Sequence, residues 1–533
     1  MRRVVQFLRG RSFARGENRP EAGFSLKIFL AGCFVLAPSL LPAAESAAPE
    51  PPHIVLVGDS TVTDRDGWGL GFRQFVNEGA VVSNAAKNGR SSKSFAAEGL
   101  WAKALALHGD YYLIQFGHND EPGKGPDRET DPATTYAQNL ARYVDEVRAI
   151  GATPILVTSL VRRNFDPANP GKIKSSLAPY VDAMKRLAAE KNVPLVDLHA
   201  RSLALCEQLG PVETAKLNPL KADGTTDTTH LNATGSTVFA RLVMEELRRV
   251  VPVLAPVLTA EPRAAKLTDL EYGQAGGEKL LLDVSVPAGD GPFPVAILVH
   301  GGGWSRGDKS GLDEPTKSGD ITPWFAPLTA AKFTWFSINY RLAPKYRWPA
   351  GFEDVQTAIR WVKAHAAEFK GDPARIALFG HSSGGHLVCL AATVADDSVR
   401  VQAVVGFAPV TNHEQDLSVR GGLSTSLQGL LNRPKAPTPE SLGLLQEISP
   451  LHHVRPGLPP VLLLHGDADK TVPIQQSVDF QARLRAAGVP CELLVIPGAG
   501  HGLLNWETFS PDYTLRMVDW LRRTLGPCAP AVP

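Results

Sequence analysis

Short apolar runs alternate with helical stretches along two long segments of the chain, and a proline-marked break separates the segments. In the first segment the runs fall at 54–57, 112–116, 155–158 and 193–198. Such runs, apolar without a polar alternation, predict parallel strands buried on both faces. Helical periodicity lies between them, as over 136–150, and a last helix is predicted over 233–250. Asn232 is its N-cap, Val238, Leu242 and Leu247 its apolar face, and Arg248 and Arg249 suit its C-terminal dipole. Residues 251–266 hold Pro252, Pro256 and Pro262 and read as a linker. A second series follows, with strands predicted at 295–299, 333–339, 375–379, 401–407, 461–464 and 492–496 and helices near 353–369, 383–393, 474–487 and 513–525. The pattern predicts an α/β protein of two three-layer α/β/α domains, 53–250 and 267–526. The halves share no repeated motif, so they are different domains.

Composition agrees with this division. A chain of 533 residues exceeds the ~250–300 at which single cores stop growing. Apolar residues at 44% and charged residues at 20% exclude a disordered chain. A net charge of +1 gives no basic surface for nucleic acid. Residues 1–44 carry seven basic and two acidic side chains, so the remainder has a net charge of −4. Lys27, an apolar run over 28–41 broken by Pro38, and the small residues Ala43 and Ala44 describe a signal peptide and export to the periplasm or exterior. The run is too short for a stable membrane span. Too little apolar sequence precedes Cys33 for lipoprotein anchoring. After export Cys206, Cys389, Cys491 and Cys528 remain. They lack the spacing of a zinc site and read as buried free thiols, with a Cys491–Cys528 bridge as the alternative. Neither a metal nor a cofactor is expected, and the oligomeric state is open.

Candidate chemistry concentrates at strand ends. Gly380-His381-Ser382-Ser383-Gly384 follows one strand and opens an apolar helix, the setting of a nucleophile elbow in which Ser382 attacks and the Ser383 N–H faces the oxyanion. His300-Gly301-Gly302-Gly303-Trp304 follows an early strand, and Gly302 and Gly303 offer further backbone donors. Asp469 in His465-Gly466-Asp467-Ala468-Asp469 is the candidate acid, with Asp467 as competitor, and His501 in Gly498-Ala499-Gly500-His501-Gly502 is the candidate base. The order Ser, Asp, His is that of the α/β-hydrolases. With Asn339-Tyr340-Arg341-Leu342-Ala343-Pro344, these segments resemble the carboxylesterases and the acetyl-xylan or feruloyl esterases of that superfamily over 267–526. His365, His386, His452 and His453 match no catalytic position and are read as surface or packing residues.

In the first segment Val57-Gly58-Asp59-Ser60-Thr61 ends a strand. Asp227 and His230 lie three residues apart before the last helix, so one turn lets the carboxylate orient the imidazole toward Ser60. The backbone N–H groups of Ser60 and Gly89, with the Asn119 amide, are candidate oxyanion donors. The four blocks resemble the SGNH, GDSL-type hydrolases. More narrowly, Gly67-Trp68-Gly69, Gly89-Arg90-Ser91-Ser92 and Phe116-Gly117-His118-Asn119-Asp120 resemble the rhamnogalacturonan acetylesterases, over 53–250. His108 and His199 are read as surface residues. Trp68, Trp304 and Trp348 are read as core residues, with sugar stacking as the alternative.

Together the triads imply ester hydrolysis, and the resemblance implies an exported bifunctional serine esterase that deacetylates pectin, rhamnogalacturonan or xylan, its partner being an acetylated polysaccharide or oligosaccharide. The alternatives are a feruloyl or general carboxylesterase in the C-terminal domain, or one domain serving as a non-catalytic polysaccharide-binding module.

Overall fold

A computed structural model describes residues 50–312 and 320–526. The signal peptide expected over 1–44 and Cys528 lie outside the described residues. The first half contains β1 (His53–Gly58), β2 (Val81–Asn84), β3 (Tyr111–Gln115), β4 (Thr153–Val157), a two-stranded hairpin of β5 (Phe165–Asp166) and β6 (Asn169–Ile173), and β7 (Leu195–Val196). Five of these form a parallel sheet in the order β2-β1-β3-β4-β7. Alternate residues of β1 enter opposite layers: Ile54 and Leu56 join one buried cluster, Val55 and Val57 the other. This two-sided burial explains why the strand reads as a continuous apolar run. Asn232 caps the helix Ala233–Val250 through the Gly235 N–H.

The second half contains β8 (Ala265–Ala275), β9 (Glu278–Val286), β10 (Phe293–Val299), β11 (Thr334–Ile338), β12 (Gly371–His381), β13 (Ala403–Phe407), β14 (Val461–Gly466) and β15 (Cys491–Ile496). Their order is β15-β14-β13-β12-β10-β11-β9-β8. The six from β10 on are carried in parallel, whereas β9 pairs antiparallel with β11 and with β8.

Besides β2 and the β5–β6 hairpin, which no expected run covers, three features depart from the expected pattern. The β8–β9 hairpin precedes the first strand expected in this half. It turns on Gly276 and Gly277, both at positive φ, a pair suited to a tight hairpin. β7 shrinks to two residues because Asp197 ends it by capping the helix Leu198–Ala215. Three short helices, His413–Arg420, Thr425–Leu431 and Pro439–Glu447, lie between β13 and β14.

Residues 251–266, read as a linker, pack onto the first sheet's domain. Leu254 and Leu258 are buried in its core, and Leu258 pairs with Val76. Side chains also cross between the halves. Leu70 is buried within the core cluster of the second half, and Gln74 Nε2 donates to the Pro287 carbonyl at 3.0 Å. Lys370 Nζ donates to Gln74 Oε1 (3.0 Å), Thr237 Oγ1 (2.9 Å) and the Gly289 carbonyl (2.8 Å).

Candidate active sites

Both candidate sites sit beyond the carboxyl ends of parallel strands, where an open α/β sheet presents its crevice. In the first half β1 lies between β2 and β3, at the point where the strand order changes direction. Ser60 follows β1, Gly89 follows β2 and Asn119 follows β3. Ser60 Oγ lies 2.9 Å from His230 Nε2, and His230 Nδ1 lies 2.8 Å from Asp227 Oδ2. Asp227 Oδ1 accepts the N–H groups of Thr229 (2.8 Å) and His230 (3.1 Å), which fixes the carboxylate within the turn. Burial pushes the Asp227 pKa up. The hydrogen bonds from His230 and the two backbone N–H groups outweigh it and bring the pKa down to about 2.

Gly89 is held at φ 75°, a region open to glycine. Asn119 Nδ2 donates to the Arg90 carbonyl at 3.2 Å, so the loops after β2 and β3 are tied together and one of its two N–H hydrogens is engaged there. Asn88 donates to Asp66 Oδ2 at 2.5 Å, and the Asp66 carbonyl accepts the Leu231 N–H, next to His230.

Two arginines that the sequence reading did not single out brace this site. Arg162 bonds to Thr229 Oγ1 (2.9 Å), the His118 carbonyl (3.0 Å) and Glu121 (2.5 Å). Buried Arg163 donates to Asn218 Oδ1 at 2.8 Å and to the His230 carbonyl. Their signal was an Arg-Arg pair at the carboxyl edge of an apolar strand, where no solvated helix face explains it. Asp120 is buried on Ser92 and Thr130, and burial raises its pKa to about 7.

In the second half Ser382 sits between β12 and the helix Ser383–Thr393 at φ 54°, ψ −117°. That backbone is strained for a residue with a Cβ, and glycines make room for it. A Cβ on Gly380 would lie 2.3 Å from the Gly384 carbonyl oxygen, and one on Gly384 2.3 Å from the Val299 carbonyl oxygen. Ser382 Oγ lies 2.9 Å from His501 Nε2, and His501 Nδ1 lies 2.7 Å from Asp469 Oδ2. Asp469 Oδ1 accepts the N–H groups of Thr471 (2.7 Å) and Val472 (2.9 Å). Asp467, the competitor, instead accepts the Gly498 N–H at 2.6 Å and shapes the loop that carries His501. Hydrogen bonds from His465 and His501 hold the Asp469 carboxyl far below its ordinary range against the opposing effect of burial. Burial lowers the His501 pKa and the neighbouring His381 lowers it further, while Asp469 opposes both.

A cavity of about 470 Å³ opens here, lined by Gly302, Gly303, Arg306, Asp308, Ser382 and His501 among others. Gly302 and Gly303 both have positive φ. Ser383 is buried at the first turn of the helix behind Ser382. The structure thus brings each Ser, His and Asp set together, and gathers Gly302 and Gly303 at the second.

His199 is buried, not at the surface: its Nδ1 lies 2.9 Å from the Ser159 carbonyl oxygen. Trp68 donates to Gln115 Oε1 and Trp304 to His386 Nδ1 from within the core, and Trp348 stacks on Phe352. Cys206, Cys389 and Cys491 are buried free thiols. Among the described residues no group of three or more His, Cys, Asp or Glu gathers as a metal site, and no helix is long and apolar enough to cross a membrane.

An α/β fold with Ser, His and Asp aligned at a sheet's carboxyl edge is the arrangement of a serine hydrolase, and the relatives make it a carboxylic ester hydrolase. Comparison with known proteins agrees for both halves. The GDSL-like lipase/acylhydrolase family matches residues 56–238, and the BD-FAE family matches 282–484. The rhamnogalacturonan acetylesterase RhgT of Bacillus subtilis is 41% identical over 38% of this chain and 91% of its own length. The probable carboxylic ester hydrolase LipM of Mycobacterium tuberculosis is 34% identical over 41% of this chain and 51% of its own length. A solved carbohydrate esterase from gut microbiota, in truncated form, shares 27% identity and a TM-score of 0.42 over 49% of this chain and 96% of its own. The chain belongs to the GDSL-like lipase/acylhydrolase family through its first half and carries a BD-FAE domain of α/β-hydrolase type in its second.

Proposed function

We propose that the protein is an exported, bifunctional serine carbohydrate esterase that removes acetyl groups from plant cell-wall polysaccharide at two independent sites. The observation that carries this reading is the paired geometry: in each half a serine Oγ stands 2.9 Å from an imidazole Nε2 whose Nδ1 faces a fixed carboxylate. In each half, Ser60 or Ser382 attacks the ester carbonyl as His230 or His501 takes its proton. Asp227 or Asp469 holds the resulting imidazolium. The oxyanion is met by the N–H groups of Ser60 and Gly89 with the Asn119 amide in the first half. In the second it is met by the N–H groups of Gly302, Gly303 and Ser383. The imidazolium returns the proton to the departing sugar oxygen. Water, deprotonated by the same imidazole, then releases acetate and restores the serine.

The likeness of the first half to RhgT supports rhamnogalacturonan as its polymer. The likeness of the second half to LipM favours a broader carboxylesterase there as the second reading. Export rests on the leader over 1–44, and the functional units are 53–250 and 267–526, joined through 251–266.

Ser60→Ala, Ser382→Ala and the double variant test this, with acetate and ferulate release measured from acetylated pectin and acetylated xylan. Each single variant is expected to abolish a distinct part of the acetate release, and the double variant all of it. Full turnover on every ester by Ser60→Ala would refute a catalytic first site, and the same result for Ser382→Ala a catalytic second one.

A further inference from the structure

Residues 365–370 of the second half touch the supports of the first site. They comprise the last residue of the helix Ala350–His365, the short turn Ala366–Phe369 and Lys370. Glu368 in this turn meets Arg65 of the first half through both carboxylate oxygens. Arg65 Nε lies 2.6 Å from Glu368 Oε2, and Arg65 Nη2 donates to Oε1 at 2.6 Å. His365 Nδ1 lies 2.8 Å from the same Oε1 and backs the carboxylate. Lys370 reaches Thr237, on the helix Ala233–Val250 that begins just after His230.

Arg65 stands on the loop that follows Ser60, and its neighbour Asp66 is a junction. The Asp66 carbonyl accepts the Leu231 N–H at 2.9 Å, beside His230. Asp66 Oδ2 accepts Asn88 Nδ2 at 2.5 Å, beside Gly89. The loops of nucleophile, base and oxyanion donor are therefore joined next to Arg65. Among the described residues, every hydrogen-bond and ion-pair partner of the Arg65 side chain lies in the second half. A partly exposed pair of this kind adds little to global stability, so its consequence is read in the alignment of the loops it holds.

We infer that Glu368 is a positioning residue for the first site. Through Arg65 and Asp66 it holds the loops of His230 and Gly89 in register with Ser60, so that turnover in the first half depends on a side chain of the second. The two sites keep separate catalytic groups; what crosses between the halves is support. This rests on the reading of Ser60, His230 and Gly89 as the catalytic groups of the first site.

The test follows kcat and KM for a soluble acetyl ester with the full chain in two backgrounds: Ser382→Ala reads the first site and Ser60→Ala the second. Glu368→Gln and Arg65→Gln are each expected to lower the first-site kcat by about fivefold, the scale of a well-aligned exposed ion pair, with KM moved by less than about twofold. Glu368→Gln is expected to leave the second-site kcat unchanged, although the residue belongs to that half. Exchange of the charges, Arg65→Glu with Glu368→Arg, is expected to return most of the first-site turnover that either reversal alone removes. An unchanged first-site kcat in both glutamine variants overturns the inference. So does an equal loss at both sites, which marks a loosened fold, and so does a charge exchange that recovers nothing. Adding Ser60→Ala to the Ser382→Ala chain separates the premise: activity that is absent before this addition, or that survives it, refutes the catalytic reading of Ser60, whatever Glu368 does.

Discussion

Lys370 is the buried cation between the two halves, and its replacement by methionine tests how they are joined. The side chain is 3% exposed. Its three acceptors, Gln74 Oε1, Thr237 Oγ1 and the Gly289 carbonyl, are all uncharged. Burial lowers its pKa from 10.5 to about 8, with Asp290 offsetting part of this and Lys332 adding to it. The folded pKa thus lies below the unfolded one, so between about pH 8 and 10.5 the unfolded chain holds a proton that the folded chain has released. Unfolding takes up that proton, and stability rises with pH across the window. A fall from 10.5 to about 8 corresponds to about 3 kcal/mol.

Lys370→Met keeps the length of the side chain and removes both proton and donors. Urea unfolding of both proteins, followed by circular dichroism at intervals from pH 7 to 10.5, isolates this group, because every other alkaline titration is common to the pair. The stability of wild type relative to the variant is expected to climb by about 3 kcal/mol from pH 7.5 to 10.5. Near neutrality the desolvation cost offsets the hydrogen bonds, each worth about 1.5–3 kcal/mol for a charged donor, and the two proteins are expected to lie close together. A difference that is flat or falls with pH would refute the buried-cation account of the seam.

Asp120 gives the opposite sign. Burial raises its folded pKa to about 7, so stability present below pH 4 is lost as pH rises to 7. Asp120→Asn is expected to gain on wild type by up to about 1.4 kcal/mol per pH unit over that range and then level off, as read from denaturant midpoints. In the Ser60→Ala background, Asp469→Asn is expected to lower kcat by about 10³–10⁴-fold, since the imidazole loses its orienting anion. Asp467→Asn, whose amide oxygen still accepts the Gly498 N–H, is expected to stay within about threefold; reversed magnitudes in ester-release assays would reassign the acid. Gly384→Ala places a Cβ 2.3 Å from the Val299 carbonyl oxygen and 2.4 Å from that of His300. It is expected to cost about 3 kcal/mol or more, visible as a lowered melting temperature.

Elements buried on both faces were the legible ones. β1 and β3 read as apolar runs because each neighbours two strands and lies under two helix layers. The β8–β9 hairpin did not, because the outermost strand β8 is largely exposed and its short apolar alternation carries little contrast. Gly276-Gly277 was the usable cue. The site split in the same way. Ser60, Asp227, His230, Ser382, Asp469 and His501 stand in loops whose glycines and neighbouring residues constrain them locally. Arg162 meets Thr229, His118 and Glu121, and Arg163 meets Asn218 and His230, all 41 or more residues away, for which no local spacing exists.

The two Ser–His–Asp sets reach one geometry by different routes. In each, one carboxylate oxygen is held by the N–H groups two and three residues on, in the first half Thr229 and His230, in the second Thr471 and Val472. A carboxylate gripped in this way cannot swing, and its second oxygen is left aimed at an imidazole. In the first half that imidazole belongs to the same turn, so three residues encode the pair and Arg163 anchors it through the His230 carbonyl. In the second half the imidazole arrives from the loop after β15, 32 residues along, and correct alignment depends on the pairing of β14 with β15 and on the tie from His381 to the His501 main chain. The same Ser–His–Asp geometry therefore rests on a local turn in one domain and on sheet register with an interloop brace in the other.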